Sequence, residues 1–116
     1  MKSLTEIHLH KKSKVLALTF DDGSVYQLPC EYLRVFSPSA EVRGHSKDQR
    51  KLVAGKKNVS IINIEPVGSY AIKLIFDDGH STGLYTWEIL HSLSVQFDSN
   101  WQDYLLRLQT AKLSRE

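Results

Sequence analysis

Lys14-Val15-Leu16-Ala17-Leu18-Thr19-Phe20-Asp21-Asp22-Gly23-Ser24-Val25-Tyr26-Gln27-Leu28-Pro29 carries the pattern on which the fold turns. Leu16, Leu18 and Phe20 fall on one side of an extended chain and Val15, Ala17 and Thr19 on the other. This period of two selects a strand over a helix. Asp22-Gly23 then lies between two apolar runs, where glycine accepts the positive φ of a tight turn, so the stretch predicts a hairpin. Val25, Tyr26 and Leu28 begin the return strand, and Pro29 ends it. Proline suits a helix start because its missing N–H would have no partner there anyway. A short helix over Glu31–Phe36 is expected next, with Tyr32 and Phe36 four residues apart and Leu33 beside them.

Outward from this unit the pattern repeats. Phe20-Asp21-Asp22-Gly23 returns 56 residues later as Phe76-Asp77-Asp78-Gly79. Ahead of the first copy, Glu6–His10 reads as the strand that pairs with Lys14–Phe20. Ahead of the second, Val59–Val67 reads as a strand ending near Pro66, followed by Tyr70–Phe76, in which Tyr70, Ile72, Leu74 and Phe76 share a face. His80–Leu84 is the expected return strand, and Thr86 is placed to cap a helix containing Trp87, Leu90 and Leu93. A terminal helix carries Trp101, Leu105 and Leu108 as an apolar stripe with Tyr104 alongside, and Ser99 and Gln102 have capping-box spacing at its start. The expected fold class is α+β: antiparallel hairpins forming a small mixed domain, packed by short helices and a C-terminal helix. At 116 residues the chain reads as one domain, 1–116, with an internal hairpin-plus-helix duplication, because neither unit alone has enough chain to bury a sufficient core.

Composition narrows the class of function. Hydrophobic residues make up 41% of the chain, and no apolar run reaches the roughly 18 residues of a membrane span, so no membrane association is expected. The opening Met1-Lys2-Ser3-Leu4 has no secretory apolar block, and Cys30 stands alone, which points to a reducing cytoplasm. The net charge of +2 is unevenly spread. Arg43, Lys47, Arg50, Lys51, Lys56 and Lys57 face only Asp48 between positions 43 and 57, a stretch poor in large apolar groups. Such a field suits docking to an acidic protein. Nucleic acid is the less favoured partner, since no aromatic interleaves with the bases to stack on a single strand.

Chemistry-bearing residues are sparse. His45, His80 and Cys30 are donor types for a transition metal, and Asp22, Asp77 or Asp78 would add oxygen ligands, but their spacing is not that of a closed zinc site. His8 and His10 alternate on one side of the first strand, a spacing that by itself assigns no metal. There is no phosphate-binding glycine loop and no dinucleotide fingerprint. Among these candidates His80 is singled out by the duplication, because Ser24 occupies the matching place after the first Asp-Gly turn. His80, His45, Asp77 and Asp78 are therefore the candidate metal or partner contacts, and no catalytic residue is assigned.

The stretches Leu33–Val42, Gly44-His45, Ile64–Gly68 and Phe76–Trp87 together resemble the bacterial domain-of-unknown-function 971 group, also called the gamma-butyrobetaine-hydroxylase-like N-terminal domain, over roughly residues 5–108. The resemblance implies a compact mixed domain. It also implies occurrence alone, ahead of an iron- and 2-oxoglutarate-dependent oxygenase domain, or attached to iron–sulfur-carrier P-loop ATPases. Hydroxylase members are similar to a zinc module with three cysteines and one histidine. His80 matches that histidine, but the cysteine region corresponds to Leu33–Ala40, which holds Phe36, Ser37, Pro38, Ser39 and Ala40, while Cys30 lies before it. Structural zinc is therefore not expected, and no other cofactor is assigned. The reading that results is a non-catalytic binding or accessory module with a protein partner, associated through family context with iron–sulfur-carrier or oxygenase proteins. The alternative is a metal-binding domain with a metal-dependent or sensing role through His45 or His80.

Overall fold

Alternating apolar residues and two Asp-Gly turns produce two antiparallel sheets, and a computed structural model describes residues 3–39 and 52–116 of the chain. The first sheet has strand order β1 (Leu4–His10), β2 (Val15–Phe20), β3 (Val25–Pro29). It leads directly into helix α1 (Cys30–Val35). The second has order β4 (Ile61–Val67), β5 (Ala71–Phe76), β6 (Leu84–Thr86) and leads into helix α2 (Trp87–Val95), after which α3 (Phe97–Thr110) closes the fold. This is the mixed α+β architecture that the alternating runs predict.

The two units share their hydrogen bonds as well as their order of elements. Gly23 and Gly79 both adopt positive φ, at 85° and 89°, and each donates its N–H to the phenylalanine carbonyl that opens its turn, at 3.0 and 3.1 Å. The carboxylates Asp22 and Asp78 each accept from the backbone N–H two residues on, at 3.0 Å in both cases. Both first strands also carry a bulge at their start, between Leu4 and Glu6 and between Ile61 and Asn63. Equal sequence patterns have thus settled into equal backbone geometry.

A main core joins the two sheets with α1 and α2, and a smaller cluster of Val35, Tyr104 and Leu108 seats α3. Leu16, Leu18 and Phe20 from β2 meet Ile72, Leu74 and Phe76 from β5, with Leu28, Tyr32, Leu33, Tyr85 and Leu90 filling the space between. Burial of these side chains is the main favourable term holding the elements together. Buried hydroxyls are tied down: Tyr32 donates to the Leu93 carbonyl at 2.7 Å and Tyr85 to the Leu33 carbonyl at 2.6 Å. Each of these bonds runs from one unit to the helix of the other. Arg115 forks onto the buried carboxylate of Glu31, Nε to Oε2 at 2.9 Å and Nη2 to Oε1 at 2.7 Å, which fastens the chain end to α1.

Three local expectations change. The terminal helix starts at Phe97, not after Ser99, whose hydroxyl instead donates to the Gln96 carbonyl. Gln96 alone separates α2 from α3, and Phe97 docks edge-on against Tyr32 at 4.8 Å, so the packed aromatic sets the start in place of the serine cap. Tyr70 precedes the strand and is 53% exposed, its ring lying over Gly68, where an added Cβ would stand 2.9 Å from Cε1. The second return strand is only three residues long, because His80–Gly83 run as irregular backbone. Their side chains and backbone serve a different contact.

Candidate functional site

That contact is a buried polar junction. Segment Ser37–Ser39 leaves α1 and packs against Gly83, where an added Cβ would overlap the Ser37 hydroxyl and stand 3.2 Å from Pro38 Cδ and 3.3 Å from Tyr85 Cε1. Glycine therefore allows the close approach. The Ser37 hydroxyl lies 2.9 Å from His80 Nε2 and accepts the Ser39 N–H at 3.3 Å. Ser37, Ser39 and His80 are all buried.

Beside this pair, Asp78 holds two cations. Its Oδ2 takes Arg34 Nε and Lys56 Nζ, each at 2.7 Å, while Oδ1 accepts the His80 N–H. Burial pushes the Asp78 pKa up, but the bonds from Lys56, the His80 amide and Arg34, together with the Arg34 charge, outweigh it and hold the carboxyl down at about 2. Burial likewise pushes the Tyr85 phenol up, against smaller opposing effects of the Ser37 hydroxyl and the Arg34 charge. Two buried groups, Arg34 Nη1 and the Ser39 hydroxyl, have no hydrogen-bond partner among the described residues.

The duplication supplies an internal control. Strand registers make Leu28 the counterpart of Tyr85, 57 positions on, and the same sequence spacing sets Tyr26 against Gly83. On the same spacing Arg34 answers to His91 and Ser37 to Ser94. In the first junction the His91 ring meets Phe20 edge-on at 5.2 Å, Tyr26 covers the same phenylalanine, and Ser94 bonds the Leu90 carbonyl of its own helix. That junction is filled by rings. In the second, Gly83 replaces a ring and the vacated position receives Ser37 and its histidine.

On its other side the same segment walls a cleft of about 240 Å³. Phe36, Pro38, Leu52, Val53 and Leu93 give it an apolar lining, and Ser92, Gln96, Asn100, Asp103 and Arg107 of α2 and α3 give it a polar rim. Such a combination is the usual form of a binding cleft. Tyr104 donates to the Val53 carbonyl at 2.7 Å, fixing the far wall, and burial pushes its phenol up to about 12. Asn100 reaches the Tyr32 hydroxyl at 3.0 Å.

The sequence candidates divide accordingly. His80 and Asp78 come together with Lys56. Asp77 lies apart, exposed, its carboxylate accepting the Ser60 N–H, and Lys57 pairs with Glu116 at 3.1 Å. His45, Arg43, Lys47, Arg50 and Lys51 lie outside the described residues. Arg34, Ser37, Ser39, Gly83 and Tyr85 were not expected at the site. The substitution of glycine for a tyrosine between the two repeats is the sequence signal that marks it. Among the described residues no three His, Cys, Asp or Glu side chains converge to hold a metal ion.

The family described as gamma-butyrobetaine hydroxylase-like, N-terminal, matches residues 7–91. Two solution NMR structures resemble the whole chain with TM-scores of 0.87, at 48% and 51% identity, covering 91% and 86% of those proteins. A crystal structure of a protein of unknown function of the DUF971 family from Acidithiobacillus ferrooxidans is 38% identical, with a TM-score of 0.67, over 79% of this chain and 92% of that one. No curated protein matches the chain. Among the described residues no helix is long and apolar enough to cross a membrane.

Proposed function

Because the chain belongs to the gamma-butyrobetaine hydroxylase-like N-terminal (DUF971) family, we propose that it acts as a single-domain, non-catalytic binding module whose α2–α3 cleft receives a protein partner. The observation that carries this reading is the cleft itself, with its apolar lining, polar rim and one wall held by the Ser37–His80 junction. A hydroxyl and an imidazole in contact suggest nucleophilic chemistry only where substrate reaches them. Ser37 and His80 are 2% and 8% exposed, which favours a strut over a reacting pair.

The partner class follows from family context: an iron–sulfur-carrier or oxygenase protein of the cytoplasm. The basic composition of Arg43–Lys57 adds a preference for an acidic partner. Of these bases, Lys56 pairs with Asp78 at the junction.

The test is capture with Ser92→Trp beside the unaltered chain. Ser92 is exposed on α2 and lines the cleft, so the indole fills the space without entering the core. A partner retained by the unaltered protein and lost with the variant fits the proposal. An identical set of retained proteins contradicts it.

A further inference from the structure

The outer face of β1 carries a feature unrelated to the cleft. Ile7 and Leu9 pack toward the core, so strand alternation turns Glu6, His8 and His10 outward, and all three are exposed. The His8 and His10 rings are parallel to within 8° with centroids 4.3 Å apart. Their cross-strand neighbours are Ala17 and Val15, short side chains that leave the imidazoles unobstructed. β1 is an edge strand, hydrogen-bonded to β2 alone, so this row lies at the margin of the sheet.

We propose that His8 and His10 form a two-imidazole site for one borderline divalent cation, Cu²⁺, Ni²⁺ or Zn²⁺. The strand fixes the spacing of the two side chains, and their rings already lie side by side, so directing a nitrogen from each to one ion requires only side-chain rotation. Neutral imidazole is a preferred donor for these ions, and the order of affinity places Cu²⁺ first. Glu6, next on the same face, adds negative charge at one end, while Lys11 and Lys12 follow at the other. Two protein donors leave the remaining coordination positions to water.

Calorimetric titration of the untagged full chain with CuCl₂, NiCl₂ and ZnCl₂ tests the site, with imidazole NMR signals of His8 and His10 followed in parallel. One equivalent is expected to bind, Cu²⁺ most tightly, with the changes confined to those two rings. His8→Gln and His10→Gln should each weaken binding roughly 100-fold, because the second donor no longer binds within the same molecule. Both side chains are exposed, and an unchanged thermal unfolding curve confirms that the variants fold. Absence of binding by all three ions, or affinity retained in the double variant, overturns the proposal.

Discussion

The Ser37 hydroxyl meets His80 Nε2 across 43 residues of chain, at 2.9 Å, with both residues buried. This bond joins the exit of α1 to the second Asp-Gly turn, and it sets the position of the cleft wall. His80→Ala should destabilise the fold by about 1–3 kcal/mol, because the buried hydroxyl loses its imidazole partner. Adding Ser37→Ala should cost less than the sum of the two single changes, since the hydroxyl deprived of its imidazole partner is then removed as well. Denaturant unfolding of the three variants measures this, and strict additivity would show that the two residues act separately.

Gly83→Ala tests the close approach from the opposite side. The new methyl group overlaps Ser37 Oγ, so we expect a loss of about 1–3 kcal/mol from forced repacking. In a Ser37→Ala background the main overlap disappears and only the contacts to Pro38 and Tyr85 remain. The alanine at 83 should therefore be better tolerated there, with a coupling of about 0.5–3 kcal/mol in a double-mutant cycle.

Asp78 predicts an acid dependence with a definite sign. Its folded pKa, about 2, lies below the ordinary carboxylate value of 3.8, so its ion pairs contribute stability that is present above the ordinary value and lost as pH falls through about 2. The unaltered protein should exceed Asp78→Asn in unfolding temperature at neutral pH. That gap should narrow between about pH 4 and pH 2. A gap that stays constant through this window would contradict the Arg34–Asp78–Lys56 arrangement.

Phe20 and Phe76 occupy equivalent places at the ends of β2 and β5, each 1% exposed in the shared core. Each substitution to alanine should cost about 3–5 kcal/mol. Chemical denaturation should give the two losses within a similar range, whereas one near-neutral variant would show that the two hairpins do not contribute alike.

The fold was legible wherever a local rule governs structure. Alternation in Val15–Phe20 and the Asp-Gly turns specify hairpins through backbone geometry alone, and Thr86 caps α2 as its hydroxyl chemistry dictates, accepting the Ile89 N–H at 3.1 Å. The start of α3 was not legible, because Phe97 is placed by Tyr32, 65 residues earlier, and not by its neighbours. His80 stood out in the sequence as the odd member of a repeated turn. Its partner Ser37 did not, since a Ser-Pro-Ser segment reads as a loop until Gly83 is seen to admit it. The cleft assembles from four separate stretches and leaves no periodic trace. The histidine pair on β1 was visible as a spacing, but the ring stacking that gives it meaning depends on the strand's outward face.

The most direct test of the binding account is NMR chemical-shift mapping of the isotopically labelled full chain with its captured partner. The account predicts that perturbed amides cluster on the cleft, at Phe36, Leu52, Ser92, Gln96 and Asn100, and that Ser92→Trp abolishes them. Perturbations confined to the outer face of β1–β3, with the cleft residues unmoved, would contradict it.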